Sequence, residues 1–154
     1  MADCAYGMAV RPRGICFPST IIAAAKKHGR VQVVSDQIGS PTYAADLADA
    51  VVSLLQSRAQ GIVHAVNGGH ASWHDLASAA VRLSGMDAVV EPISTAQWMA
   101  IRPQQARRTR YSVLDTTRLA GILGCGLRPW DEALRAYCME PERPGAGRGS
   151  LVCT

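Results

Sequence analysis

The sequence predicts an α/β protein whose parallel sheet is small and incomplete. Short β-branched or apolar runs alternate with stretches at helical spacing, and glycines punctuate the ends of those stretches. One run, Ile62-Val63-His64-Ala65-Val66, is almost continuously apolar, as strands covered on both faces of a parallel sheet are. No internal repeat is visible.

Taken in order, residues 1–13 hold Gly7 and Pro12 with no convincing period and are expected to be irregular. From Ser19 the chain reads STIIAAAKKH and then Gly29, with Lys26, Lys27 and His28 where a helix ends: cations at the negative end of the dipole, glycine just beyond. Val31, Val33 and Val34 predict a strand. Ser35 to Thr42 is a polar loop broken by Gly39 and Pro41. A helix is expected over residues 43–56, where Ala44, Leu47, Ala48, Val51, Val52, Leu54 and Leu55 form a broad apolar stripe.

After the strand expected at residues 62–66, Ser72 with Asp75 predicts a capped helix carrying Leu76, Ala79, Ala80 and Leu83 and stopping at Gly85. Val89 and Val90 give a short extended piece ending at Pro92. Two further helices are expected, over residues 116–123 with Asp115 as cap and over 130–138 with Pro129 in the first turn. Residues 139–154 shift to Pro, Gly, Arg and Glu and are expected to form a disordered tail, leaving 14–138 as the folded portion.

Composition narrows the function classes. The 154 residues are 48% hydrophobic and 18% charged, the balance of a globular chain. No apolar run approaches the ~20 residues of a membrane span, and the start lacks a basic region before an apolar core, so a cytoplasmic protein is expected. The net charge of +4 raises the question of nucleic acid. Arg102, Arg107, Arg108 and Arg110 do cluster, but nearby aromatics are sparse and show no stacking-platform spacing, so no nucleic-acid partner is expected. The five cysteines contain no Cys-x-x-Cys pair, and His70 and His74 are separated by the Ser72 cap, so no metal site is expected.

Three stretches carry a family resemblance. Val33 to Ala48 (VVSDQIGSPTYAADLA) is similar to the V-x-D-Q-x-G-x-P-T-x-x-x-D-L-A segment of dTDP-4-dehydrorhamnose reductases, in the extended short-chain dehydrogenase/reductase superfamily. IVHAVNGG followed by Ser72-Trp73-His74-Asp75-Leu76-Ala77 resembles that family's strand, Gly-rich turn and S-W-x-D/E-x-A helix start. ARRTRYSVLDT, from Ala106, resembles A-R-R-P-x-x-S-x-L-D-T, with Thr109 in place of Pro, and Pro129-Trp130-Asp131-Glu132-Ala133-Leu134 completes the pattern.

The resemblance implies the carboxyl-terminal part of a Rossmann-like extended reductase fold, a small subdomain that binds the substrate. It also implies the family's reaction, in which NADPH reduces the C4 keto group of dTDP-4-dehydro-6-deoxy-L-mannose. This sequence shows no Gly-rich turn between a first strand and helix where a dinucleotide pyrophosphate would sit. The superfamily's Tyr-x-x-x-Lys is missing too, since Val10, Leu47, Asp115 and Pro141 stand four residues after Tyr6, Tyr43, Tyr111 and Tyr137. No catalytic or cofactor-binding residue is therefore assigned, and the chain alone is expected to be inactive.

What remains is the sugar-nucleotide side. Asp36, Gln37 and Thr42 fall in a strand-to-helix loop, where open α/β sheets place ligands; they either touch the sugar nucleotide or satisfy turn amides. Arg107 and Arg108 either clamp the diphosphate with their guanidinium forks or remain solvated loop charges. Asp46 reads as structural, and Trp73 and Trp130 as core before base-stacking residues. A dTDP-sugar is the expected ligand, and a full-length reductase or a second copy of the chain is a candidate partner. A non-catalytic binding subunit and a gene fragment are the competing readings.

Overall fold

The computed structural model describes residues 16–104 and 106–139, with the backbone of residues 5 and 6. The first helix, α1 (Phe17–His28), starts two residues before Ser19, because Pro18 fits a first turn that needs no amide hydrogen there. It ends as expected: Gly29 adopts φ +67°, and its N–H reaches the carbonyl of Ala25 at 2.8 Å.

The remaining elements follow in order. β1 (Ala5–Tyr6) precedes α1 in the chain, and β2 (Arg30–Val34), β3 (Ile38–Gly39), β4 (Thr42–Tyr43) and α2 (Ala44–Gln56) come after it. Then come β5 (Asn67–Gly68), β6 (Ala71–Ser72), α3 (Trp73–Leu83), β7 (Val89–Ile93) and α4 (Thr95–Ile101). β8 (Tyr111–Ser112), α5 (Thr117–Leu123), β9 (Leu127–Pro129) and α6 (Trp130–Met139) complete the order. The rest of the segments expected to be irregular or disordered, at 1–13 and 139–154, lies outside the described residues.

The described residues fall into two units, each built from more than one stretch of chain. One unit holds residues 16–39 and 70–113. Its frame is β2 paired in parallel with β7, from Arg30↔Val89 to Val34↔Ile93. α1 and α3 cover this pair, burying Ala25, Leu76, Ala77, Ala80 and Val81 with Val33, Val34 and Ile93. The N-terminus of α3 is the predicted capping box: Ser72 Oγ accepts the Asp75 N–H, and the Asp75 carboxylate accepts the Ser72 N–H.

β7 runs through Pro92, past the expected stop, and the register explains why. Val89 N–H donates to the Gly29 carbonyl and Ser35 N–H to that of Ile93, so Val89, Glu91 and Ile93 face β2. Pro92 faces away from the partner strand, where a missing N–H costs nothing. The same register turns the backbone groups of Gln32 and Val34 away from β7. A second small sheet in this unit has the order β6-β3-β8, with Ile38 opposite both Ser72 and Tyr111.

The other unit holds residues 40–69 and 114–139, with β1. β1 pairs in parallel with β4, and β5 in parallel with β9. Its apolar core is Ala50, Leu119 and Leu127, against which Leu54, Val63, Ala65 and Leu123 pack. Residues 62–66, expected to be a strand, join no ladder among the described residues. Val63 and Ala65 turn inward while Ile62 and His64 are exposed, so the side-chain alternation of a strand is present over residues 62–65.

Asp46, read as structural, belongs to a partly buried polar hub. Its carboxylate accepts a fork of hydrogen bonds from Arg128, Nε at 2.8 Å and Nη2 at 2.7 Å, and a third from Asn67 Nδ2 at 2.6 Å. Asn67 is 1% exposed. Its Oδ1 accepts the Tyr43 N–H at 2.7 Å, and its Nδ2 also donates to the Arg128 carbonyl. The hub joins β4, α2, β5 and β9, and every donor and acceptor of the Asn67 amide is used.

Candidate functional site

The unit built on β2 and β7 contains a cavity of about 240 Å³. Its apolar wall comes from α1 (Phe17, Ile21), β2 (Val33, Val34), α3 (Trp73) and α4 (Trp98, Met99). Phe17 and Trp73 meet with ring centroids 4.6 Å apart at 60°. Gln32, Gln37, Thr95 and Arg108 supply the polar part of the lining, with Ala106 beside Arg108 in the connecting loop.

The polar side is ordered by a relay. Gln37 Nε2 donates to Thr95 Oγ1 at 3.0 Å, and that hydroxyl donates to Asp36 Oδ1 at 2.6 Å. The Thr95 N–H reaches the same carboxylate oxygen at 2.8 Å. The bond from the Thr95 hydroxyl, outweighing partial burial, holds the Asp36 carboxyl below its ordinary value. An ionised Asp36 fixes the threonine hydroxyl as donor to it, which in turn fixes which face of the Gln37 amide donates and leaves Oε1 as its acceptor. Gln37 itself is buried.

The five expected site residues divide accordingly. Gln37 and Arg108 line the cavity, and Asp36 lies one bond behind the Thr95 that lines it. Arg107 is exposed and not among the lining residues. Thr42 belongs to the other unit, where it is buried and donates from Oγ1 to the Ser40 carbonyl at 3.0 Å.

Thr95, Trp98 and Met99 line the cavity although none belongs to the three family-like stretches. They stand on α4, which the sequence announces with a second capping box: Ser94 Oγ accepts the Gln97 N–H while Gln97 Oε1 accepts the Ser94 N–H. Ser94-Thr95-Ala96-Gln97 carries that capping signal locally, without an apolar period beside it.

The glycines among the described residues form no pyrophosphate cradle. Gly69 adopts φ +81°, and a Cβ placed on it would lie 3.2 Å from Cδ1 of Trp130. Gly69 therefore serves the turn and the close approach of an indole ring. Among the described residues, no three His, Cys, Asp or Glu side chains gather as metal ligands do. No helix of the described residues is long and apolar enough to cross a membrane.

A family model described as "RmlD substrate binding domain" matches residues 7–142. The spore coat polysaccharide biosynthesis protein SpsK of Bacillus subtilis is 40% identical over 129 residues, which are 82% of this chain and 43% of that protein. A dTDP-4-dehydrorhamnose reductase of Mycobacterium tuberculosis is 40% identical over 129 residues, 81% of this chain and 40% of its own length. The chain thus spans about half the length of the curated relatives it matches or somewhat less. Among solved structures, the dTDP-4-dehydrorhamnose reductase of Bacillus anthracis in complex with NADP superposes with a TM-score of 0.74 at 30% identity, covering 87% of this chain and 44% of that one. A UDP-galactose 4-epimerase, at a TM-score of 0.58 and 14% identity, shares the fold alone.

Proposed function

We propose, from the premise that this chain belongs to the RmlD substrate binding domain family, that it holds the sugar nucleotide for a dTDP-4-dehydrorhamnose reductase. Its α/β fold is that of the carboxyl-terminal part of such extended short-chain reductases. The observation that carries the proposal is the cavity beside β2. Aromatic and aliphatic side chains there face a relay-fixed amide, and a guanidinium stands at one side.

In this reading the nucleobase enters between the side chains of Trp73 and Trp98 and meets the outward-turned backbone groups of Gln32 and Val34. A strand edge offers alternating donors and acceptors, which matches the edge of a planar base. Gln37, whose orientation is set by Thr95 and Asp36, adds one directional contact. Arg108 takes the diphosphate, with Arg107 contributing long-range attraction from its exposed position. Thr42, bonded within the other unit, then has a structural role.

The family's cofactor does not fit the residues present. The Gly69 turn is filled by Trp130, and among the described residues no glycine-rich turn connects a strand to a helix N-terminus, so no step of hydride transfer is assigned to this chain. Its part is to bind and orient.

Titration calorimetry with dTDP tests the proposal. Saturable binding is expected, and Trp98→Ala is expected to weaken it roughly ten-fold, the order of one lost base–aromatic contact. An unsaturable titration, or an affinity indifferent to Trp98→Ala, contradicts it.

A further inference from the structure

A separate cavity of about 320 Å³ lies in the unit built on β2 and β7 and shares no lining residue with the one beside β2. That volume falls at the lower end of small-molecule sites. His74, Ser78 and Arg82 line it from α3, four residues apart and so stacked on one side of the helix. Met86, Ala88 and Val90 close the other side, along the edge of β7 that faces away from β2.

The polar groups here are donors. The register that turns Pro92 outward also turns the N–H and carbonyl of Val90 away from β2. His74 Nε2 meets the Val90 carbonyl at 3.2 Å, and because a carbonyl only accepts, the ring carries a proton on that nitrogen. The same nitrogen stands 3.5 Å from Ser78 Oγ and, being a donor, cannot accept from it. The Ser78 hydroxyl hydrogen, the Val90 N–H and the Arg82 guanidinium thus border one cavity with no acceptor among the described residues.

Neighbouring carboxylates do not fill that role. Asp75 is tied to Ser72, Glu91 to Arg30 and Gln32, and Asp87 is not among the lining residues. The negative end of α3 is blunted as well. The N–H groups of Ser84 and Gly85, with the Ser84 hydroxyl, occupy the carbonyls of Ala80, Val81 and Arg82. Water can satisfy each donor singly, but one anion satisfies all three, through bonds roughly twice as strong as neutral ones. The aliphatic side chains of Val81, Met86 and Ala88 gain in turn from a ligand that brings hydrocarbon to them.

The geometry points to a binding site for a small carboxylic acid with a short aliphatic body. Its carboxylate lies between the Arg82 guanidinium, the Ser78 hydroxyl and the Val90 N–H, and its body lies against Val81, Met86 and Ala88. This site is additional to the one proposed for the sugar nucleotide and does not depend on it, since no residue lines both cavities.

An NMR titration of the isotope-labelled full chain with hexanoate tests the site. Saturable shifts are expected at the Val90 N–H and in residues 78–82. Hexan-1-ol and inorganic phosphate, each lacking one half of the ligand, are expected to bind at least roughly ten-fold more weakly. Arg82→Ala, at an exposed position, is expected to weaken hexanoate about ten-fold while leaving the thermal midpoint unchanged, and Ser78→Ala to weaken it by a smaller factor. Shifts that do not saturate, shifts centred away from α3 and β7, or an affinity indifferent to Arg82→Ala would overturn the site. Phosphate binding as tightly as hexanoate would show a bare anion site and overturn the assigned ligand class.

Discussion

At the scale of single residues, burial assigns the largest energetic stakes to Asn67. Its amide meets a backbone N–H, a backbone carbonyl and a carboxylate, and no water reaches it to replace a lost partner. Asn67→Asp keeps the shape but deletes both N–H donors and sets a second carboxylate against Asp46. A destabilisation of about 3 kcal/mol is expected near neutral pH, from one stranded acceptor plus like-charge repulsion in a partly buried site. The penalty should shrink on mild acidification, since one proton shared between the two carboxylates removes the repulsion. Urea unfolding of both proteins at pH 7 and at pH 5 reads this directly; a variant equal to the parent at both would show that the hub carries no stability. None of the hub was legible in the sequence beyond Asp46 as a structural acid. Its members sit 24, 21 and 61 residues apart, and no local pattern encodes such a meeting.

At the scale of elements, two similar caps have different consequences. Ser72 starts α3, which buries Leu76, Ala77, Ala79, Ala80 and Val81, so loss of the cap is transmitted to the core. Ser94 starts α4, which buries no residue completely and instead holds Trp98 and Met99 along the cavity. Ser72→Ala is expected to lower global stability by about 1 kcal/mol. Ser94→Ala is expected to leave the global midpoint nearly unchanged, raise hydrogen exchange in residues 97–101 and weaken dTDP binding. Equal global effects from both substitutions would refute this assignment. Capping chemistry is local, which is why the ends of α1 and α3 could be read from Gly29 and from Ser72 with Asp75. The same local signal existed at Ser94 and Gln97, but a seven-residue helix among glutamines and arginines has no apolar period to draw attention to it. Strand pairing is not local. Residues 62–66 have the composition of a buried strand yet join no ladder among the described residues, and Pro92 is tolerated because of a register that only the partner strand reveals. The site was legible to a similar degree: Gln37 and Arg108 stand in motifs, whereas Thr95 and Trp98 stand on α4, whose only local sign is its cap.

At the scale of the whole molecule, the chain folds as two units, each with its own core, and their charged groups respond differently to acid. Thr95 lowers Asp36 through its hydroxyl; at Asp75, burial pushes the carboxyl up but the Ser72 hydroxyl and N–H outweigh it. Both lie in the unit containing β2 and β7. Asp115 in the other unit is lowered by the Thr117 hydroxyl and N–H, at a fully exposed site where solvent screens the effect. A carboxyl lowered by folding stabilises the native state above its unfolded value of 3.8 and ceases to do so as pH falls through the lower folded value. The unit with Asp36 and Asp75 should therefore lose more of its stability than the other as pH falls below 3.8. Rising positive charge repels both units on acidification, so the difference between them, and not the midpoint of either, carries the information. The three tryptophans make it measurable, since Trp73 and Trp98 report on one unit and Trp130 on the other. Fluorescence during acid titration of Trp130→Phe and of the Trp73→Phe/Trp98→Phe double variant follows each unit separately. Asp36→Asn, which no longer titrates, should flatten the pH dependence of the first unit while leaving the second as it was. Coincident acid transitions, or an Asp36→Asn curve parallel to the parent's, would mean that the relay behind Gln37 orients the site without stabilising the fold around it.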